Sequence, residues 1–94
     1  MTTQAIQDVI AERQRQKEVE GWTEAHDDEH RNNELAWAAA SYAIFDEGPM
    51  PLFWPWHRSW WKPTTYRRNL VKAAALILAE IERIDRSAHP KEGT

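Results

Sequence analysis

The sequence predicts an all-α fold: a small three-helix bundle in which a long Pro/Trp-rich connection joins helices 2 and 3. Three observations lead there. Apolar residues recur at helical spacing in three stretches, and none alternates with the period of two that a half-buried strand needs. Threonine, aspartate and glycine stand where these helices would begin and end. Four of the five prolines fall between Pro49 and Pro63, where each removes a backbone donor and fixes φ, so no regular helix can run through them.

Thr2 or Thr3 can cap a first helix running to about Val19, with Ile6, Val9 and Ile10 as a short apolar stripe. Beyond Ala11 the stripe gives way to ERQRQKEVE, whose outer half should be solvated or lie against another subunit. Gly21 stops the helix, and Trp22 is expected to turn back into the core. Asp27 or Asp28 would cap a second helix ending near Asp46. Its Leu35, Ala38, Ala39, Tyr42 and Phe45 make one face and Trp37, Ala40 and Ile44 another, which suits a central position. Gly48 and Pro49 end it. After the connection, Thr64 or Thr65 caps a third helix to about Arg86, with Leu70, Ala74, Ile77, Ile81 and Ile84 on one stripe widened by Val71 and Leu78. The expected layout is one helical domain over 1–86 and a flexible tail over 87–94.

Ninety-four residues make a small domain with a thin stability margin. With no cysteine, neither disulfides nor thiolate metal sites can supplement the core. Aliphatic residues are sparse, so association into a homo-oligomer would complete the burial. No apolar run reaches the length of a membrane span, and no secretory signal pattern opens the chain. The expected setting is the cytoplasm.

The net charge of −3 is unevenly spread. Residues 18–34 hold seven acids against Arg31, whereas no Asp or Glu occurs from Gly48 through Ala79. Either the two halves neutralise each other or the basic half meets an anion.

Four of the six tryptophans lie in the same acid-free stretch as Arg58, Lys62, Arg67, Arg68 and Lys72. Indoles stack on a nucleobase for about 1–3 kcal/mol each. Arginine forks match phosphate oxygens, and the helix start after Thr64 and Thr65 offers free N–H groups to an anion. The expected ligand site is therefore Trp54, Trp56, His57, Arg58, Trp60, Trp61, Lys62, Thr64, Thr65, Tyr66, Arg67 and Arg68. The competing expectation is that the tryptophans simply fill the core of an aliphatic-poor chain, although Trp60 and Trp61 cannot easily both point inward. No resident metal or other cofactor is expected. His26, His30 and Glu34, spaced by four, are the weak metal candidates, with Asp27 behind them.

The runs ERQRQKEVEGWTEAHDDEH, NNELAWAAASYA, WPWHRSWWKP and RRNLVKAAALILAEIERIDR resemble a family of small helical proteins from tailed-phage genomes, over residues 12–86. The most specific stretches are Gly21-Trp22-Thr23, His26-Asp27-Asp28, Trp54-Pro55-Trp56, Trp60-Trp61-Lys62-Pro63 and Ala79-Glu80-Ile81-Glu82-Arg83. The resemblance implies no activity that transfers residue by residue. In size, helicity and basic–aromatic content, though in no motif, the chain is also similar to the phage sponges of the anti-CBASS and anti-Thoeris kind. That analogy implies sequestration of a cyclic nucleotide or ADP-ribose-type immune signal without catalysis. Sequence-specific nucleic-acid binding is not expected, because the basic residues are few and no recognition helix stands out. A second likeness, to MazG-type nucleotide pyrophosphohydrolases, rests on Glu82-x-x-Asp85; the EExxE motif those Mg²⁺ enzymes also carry is missing here. A third reading is a protein–protein inhibitor that anchors through the aromatic segment.

Overall fold

A computed structural model describes residues 2–88 and contains, among them, four α-helices and no strand. They are α1 (Gln4–Glu18), α2 (Glu24–Asp28), α3 (Glu34–Ile44) and α4 (Tyr66–Ala88), with a 3₁₀ turn at Arg58–Trp60. α4 is the central element, packing against α3, α1 and α2. No helix among the described residues is long and apolar enough to cross a membrane.

α1 starts where Thr3 accepts a hydrogen bond from the Ile6 N–H at 3.2 Å. It ends at Glu18, and the chain turns at Gly21, whose φ of 76° suits a residue without a Cβ, while the Trp22 N–H returns to the Gln16 carbonyl at 2.9 Å. The return drives Trp22 into the core.

The expected second helix is divided in two. Asp27 and Asp28 do not cap a helix to Asp46; Thr23 caps the short α2, and the chain breaks before α3 at Asn33, in the left-handed region with φ 64°. Long-range ion pairs decide this. Asp27 Oδ2 lies 3.0 Å from Arg13 of α1 and Asp28 Oδ1 2.7 Å from Arg86 of α4, so neither carboxylate serves its own helix start. Asparagine tolerates the left-handed turn better than most side chains.

The polar second half of α1 has an open outer side, at Gln14 and Glu18, and a buried inner side. Glu12, Arg13 and Gln16 are 1 %, 5 % and 1 % exposed, inside the protomer. Glu12 accepts from Arg15, Gln16 and Arg68. Arg13 donates to Asp27, Glu82 and the Trp22 carbonyl. The interior on this side is a charge network.

The apolar core lies mainly between α3 and α4. Leu35, Ala38, Ala39 and Tyr42 meet Ala73, Leu76 and Ala79, with Trp22 and Trp54 closing the ends. Alanines on both helices let the backbones approach closely. The Leu70–Ala74–Ile77–Ile81–Ile84 stripe is turned away from this core. The second face of α3 is likewise open at Trp37 and Ile44. α4 continues through Ser87 and Ala88, into the first residues of the expected tail; the rest of that tail lies outside the described residues.

Candidate functional site

Residues 45–65 connect α3 to α4, and two buried side chains fix their course. Asn69 of α4, fully buried, accepts from the Thr64 N–H at 2.8 Å and donates to the Phe45 carbonyl at 3.3 Å, holding both ends together. The Tyr42 hydroxyl of α3 accepts from the Lys62 N–H at 3.0 Å and donates to the Trp60 carbonyl at 3.4 Å. Burial raises the Tyr42 pKa, the Lys62 N–H opposing the shift, so the hydroxyl stays protonated and keeps both roles.

Between these pins the tryptophans separate into two groups. Trp54 is buried and donates its Nε1–H to the His57 carbonyl at 3.2 Å. Trp61 stacks on Tyr42, with centroids 4.7 Å apart, and meets Phe45 edge-on. Both belong to the packed interior. Trp56, also packed against the core and edge-on to Trp54 at 5.5 Å, reaches Trp22 as Trp60 does, at 5.4 Å and 6.2 Å between centroids. The adjacent Trp60–Trp61 pair is thus split, with Trp60 remaining 41 % exposed.

Trp22, Trp56 and Trp60, with Glu20, His26, His30, Pro55 and His57, line an open cleft of about 480 Å³. His26 stacks on Trp22, and His30 lies 5.3 Å from Trp56, so rings form most of its wall. The Trp56 Nε1–H is buried with no acceptor among the described residues. Such an orphan donor costs free energy unless something accepts from it.

The two imidazoles meet through Nε2 atoms 3.2 Å apart. Behind them, His26 Nδ1 lies 3.3 Å from Asp27 Oδ1 and His30 Nδ1 lies 3.4 Å from Glu34 Oε2. Glu34 therefore stands behind His30 rather than beside the facing nitrogens as a third ligand. Among the described residues no group of three or more His, Asp or Glu side chains is placed to hold a metal.

The cations expected to meet an anion are mostly engaged with acids of α1 and the turn after it. Arg67 pairs with Asp8 at 2.9 Å, Arg68 with Glu12, and Lys62 with Glu20 at 3.3 Å while lying over the Trp60 ring. Arg58 makes no ion pair among the described residues and is exposed on the turn beside His57. At the start of α4 the Thr65 hydroxyl accepts from the Arg68 N–H, and the Thr65 carbonyl accepts from the Asn69 N–H. One donor expected for an anion, the Arg68 N–H, is thereby used internally, and neither Thr64, Thr65, Tyr66, Arg67 nor Arg68 lines the cleft. Glu82, half of the ExxD pattern, receives two hydrogen bonds from Arg13.

Of the residues read from sequence as ligand or metal candidates, the structure gathers His26, His30, Trp56, His57 and Trp60 at the cleft and adds Trp22, Glu20 and Pro55. Trp22 had one legible signal, its position just past a helix-ending glycine. No family model, curated protein or solved structure matches the chain.

Proposed function

We propose that the chain is a small non-catalytic binding protein that sequesters a phosphorylated, nucleotide-like ligand, its base held in the Trp22–Trp56–Trp60 cleft. The observation that carries this reading is the cleft itself. It falls in the size range of small-molecule sites, and Trp60 offers a flat π-face at the protein surface. A nucleobase would supply a stacking partner for the exposed Trp60 ring. Arg58, exposed next to His57 but outside the cleft lining, is the guanidinium proposed for phosphate, in a bidentate contact that lysine would not reproduce. The immune cyclic nucleotides and ADP-ribose derivatives of a bacterial cytoplasm carry both groups, which makes their capture the role in view.

Calorimetric titration with a cyclic dinucleotide, ADP-ribose and AMP tests the reading. Binding of at least one is expected, and Trp60→Ala should weaken it by about 1–3 kcal/mol, roughly 5- to 150-fold in Kd. Arg58→Ala should weaken the phosphorylated ligand but not its nucleoside. Absence of heat with all three overturns the proposal.

One other surface favours a second reading. Trp37 packs on Phe53 at 5.4 Å beside a fully exposed Leu52, an apolar anchor suited to the protein–protein inhibitor. In that case Leu52→Asp would abolish capture of the protein target while leaving the nucleotide titrations flat.

A further inference from the structure

α4 is apolar on two opposite faces. One is the alanine face that packs on α3. The other carries Leu70, Ala74, Ile77, Ile81 and Ile84, of which Leu70, Ile77, Ile81 and Ile84 are 39 %, 48 %, 48 % and 49 % exposed. Beside it, Ile6 and Ile10 of α1 are 47 % and 59 % exposed. Ile6, Val9, Ile10, Ala74, Ile77 and Leu78 line a groove of about 520 Å³ between the two helices. Half-open aliphatic side chains in this number, on a chain short of aliphatics, exceed the scattered exposure a monomer tolerates.

We propose that a second copy of this chain covers this face, with the two α4 helices packed antiparallel about a twofold axis passing between Ala74 and Ile77. Three features choose that occupant. The first is period. Steps of four, three, four and three from Leu70 to Ile84 average 3.5 residues, the repeat of a helix that meets another helix along its length. The second is self-complementarity. In the antiparallel register Ala74 faces Ile77 of the second copy and Leu70 faces Ile81 of the second copy, so a small residue leaves the hole a large one fills. The third is charge. The same register brings Arg67, at the basic start of α4, to Asp85 near the end of the other α4; a parallel pairing would set like charges together. Among the described residues, Arg67 is held on its own protomer by one ion pair, to the half-buried Asp8.

The size also suffices. Fifteen residues from Leu70 to Ile84 span about 20 Å. With α1 alongside, the strip is two helices wide, enough for the roughly 1,200 Å² of total burial at which specific interfaces begin. The cleft shares none of these residues, so the proposal stands whatever the cleft binds.

Sedimentation equilibrium of the full chain, from about 1 to 200 µM, tests it. The expected mass is twice the protomer's 11.0 kDa. Ile77→Glu/Ile81→Glu should sediment as a monomer, with a dissociation constant raised at least ~100-fold and an unchanged helical circular dichroism spectrum. Arg67→Asp and Asp85→Arg, both on the surface and away from the core, provide the test that does not depend on that variant folding. Each alone should weaken the dimer, and the two together should restore it. A monomeric wild type at the highest concentration, or a closed trimer or larger assembly, overturns the proposal. A dimer indifferent to both pairs of substitutions does so too.

Discussion

Replacing Arg13 by alanine should remove about 3–5 kcal/mol of folding free energy, the usual consequence of stranding one member of a buried ion pair. Asp27 is fully buried and receives the Arg13 guanidinium at 3.0 Å. The same guanidinium donates to Glu82 of α4 and to the Trp22 carbonyl after α1. One side chain thus joins α1, the turn beneath the cleft, α2 and α4. A domain of this length has a total stability of about 5–14 kcal/mol, so the loss is a large share of it. Urea denaturation checks the value. Arg13→Lys should fall between, because an ammonium cannot reach three acceptors with the geometry of the fork. Arg13→Met/Asp27→Leu should recover most of the loss, since no charge is left without a partner. A cost under about 1 kcal/mol for Arg13→Ala would show that α2 is held by something other than this pair.

The second large effect is acid sensitivity centred on Glu12. Burial raises its pKa, but hydrogen bonds from Arg15 and Gln16 and the charges of Arg15 and Arg68 outweigh burial and hold it below the ordinary 4.5. A carboxylate whose pKa falls on folding stabilises the protein at pH values above its unfolded pKa. That contribution is lost as the pH drops from about 4.5 through the folded value. Glu24 and Glu34, also lowered, act in the same direction. Urea midpoints should therefore hold steady near neutrality and fall steeply below pH 4.5. Glu12→Gln should lose about 1.5–3 kcal/mol at pH 7, the worth of a charge-assisted hydrogen bond. At pH 3 the gap between variant and wild type should narrow markedly. A gap independent of pH would mean that Glu12 acts through packing alone.

Both effects rest on residues whose role was hidden in the sequence. Glu12, Arg13 and Gln16 sit in a run that reads as a solvated helix surface, because only the fold brings Asp27, Arg68 and Glu82 to them. The same long-range pairing broke the expected second helix at Asn33, where local capping preferences pointed to Asp27 or Asp28. Some boundaries were set by local signals, although the Thr23 cap of α2 was not read from them. Thr3, Gly21 and the run of prolines mark boundaries that depend on neighbouring residues alone. The orientation of α4 was beyond them. Its isoleucine stripe outranks its alanines in hydrophobicity, yet close contact with α3 favours the small residues, and spacing cannot weigh one against the other. At the cleft, proline and tryptophan content marked the segment, while the division into inward and outward indoles followed from Tyr42 and Asn69, which lie on the flanking helices.

An interior assembled from ions and amides also sets how the chain answers to heat. Hydrating exposed apolar groups on unfolding raises the heat capacity, whereas hydrating polar ones lowers it. With Glu12, Arg13, Gln16, Asp27 and Asn69 among its buried groups, this chain should show a heat-capacity increment below the ~12–15 cal/mol/K per residue of ordinary domains. Scanning calorimetry should then trace a flat stability curve, one that yields gradually on warming and gives little ground in the cold.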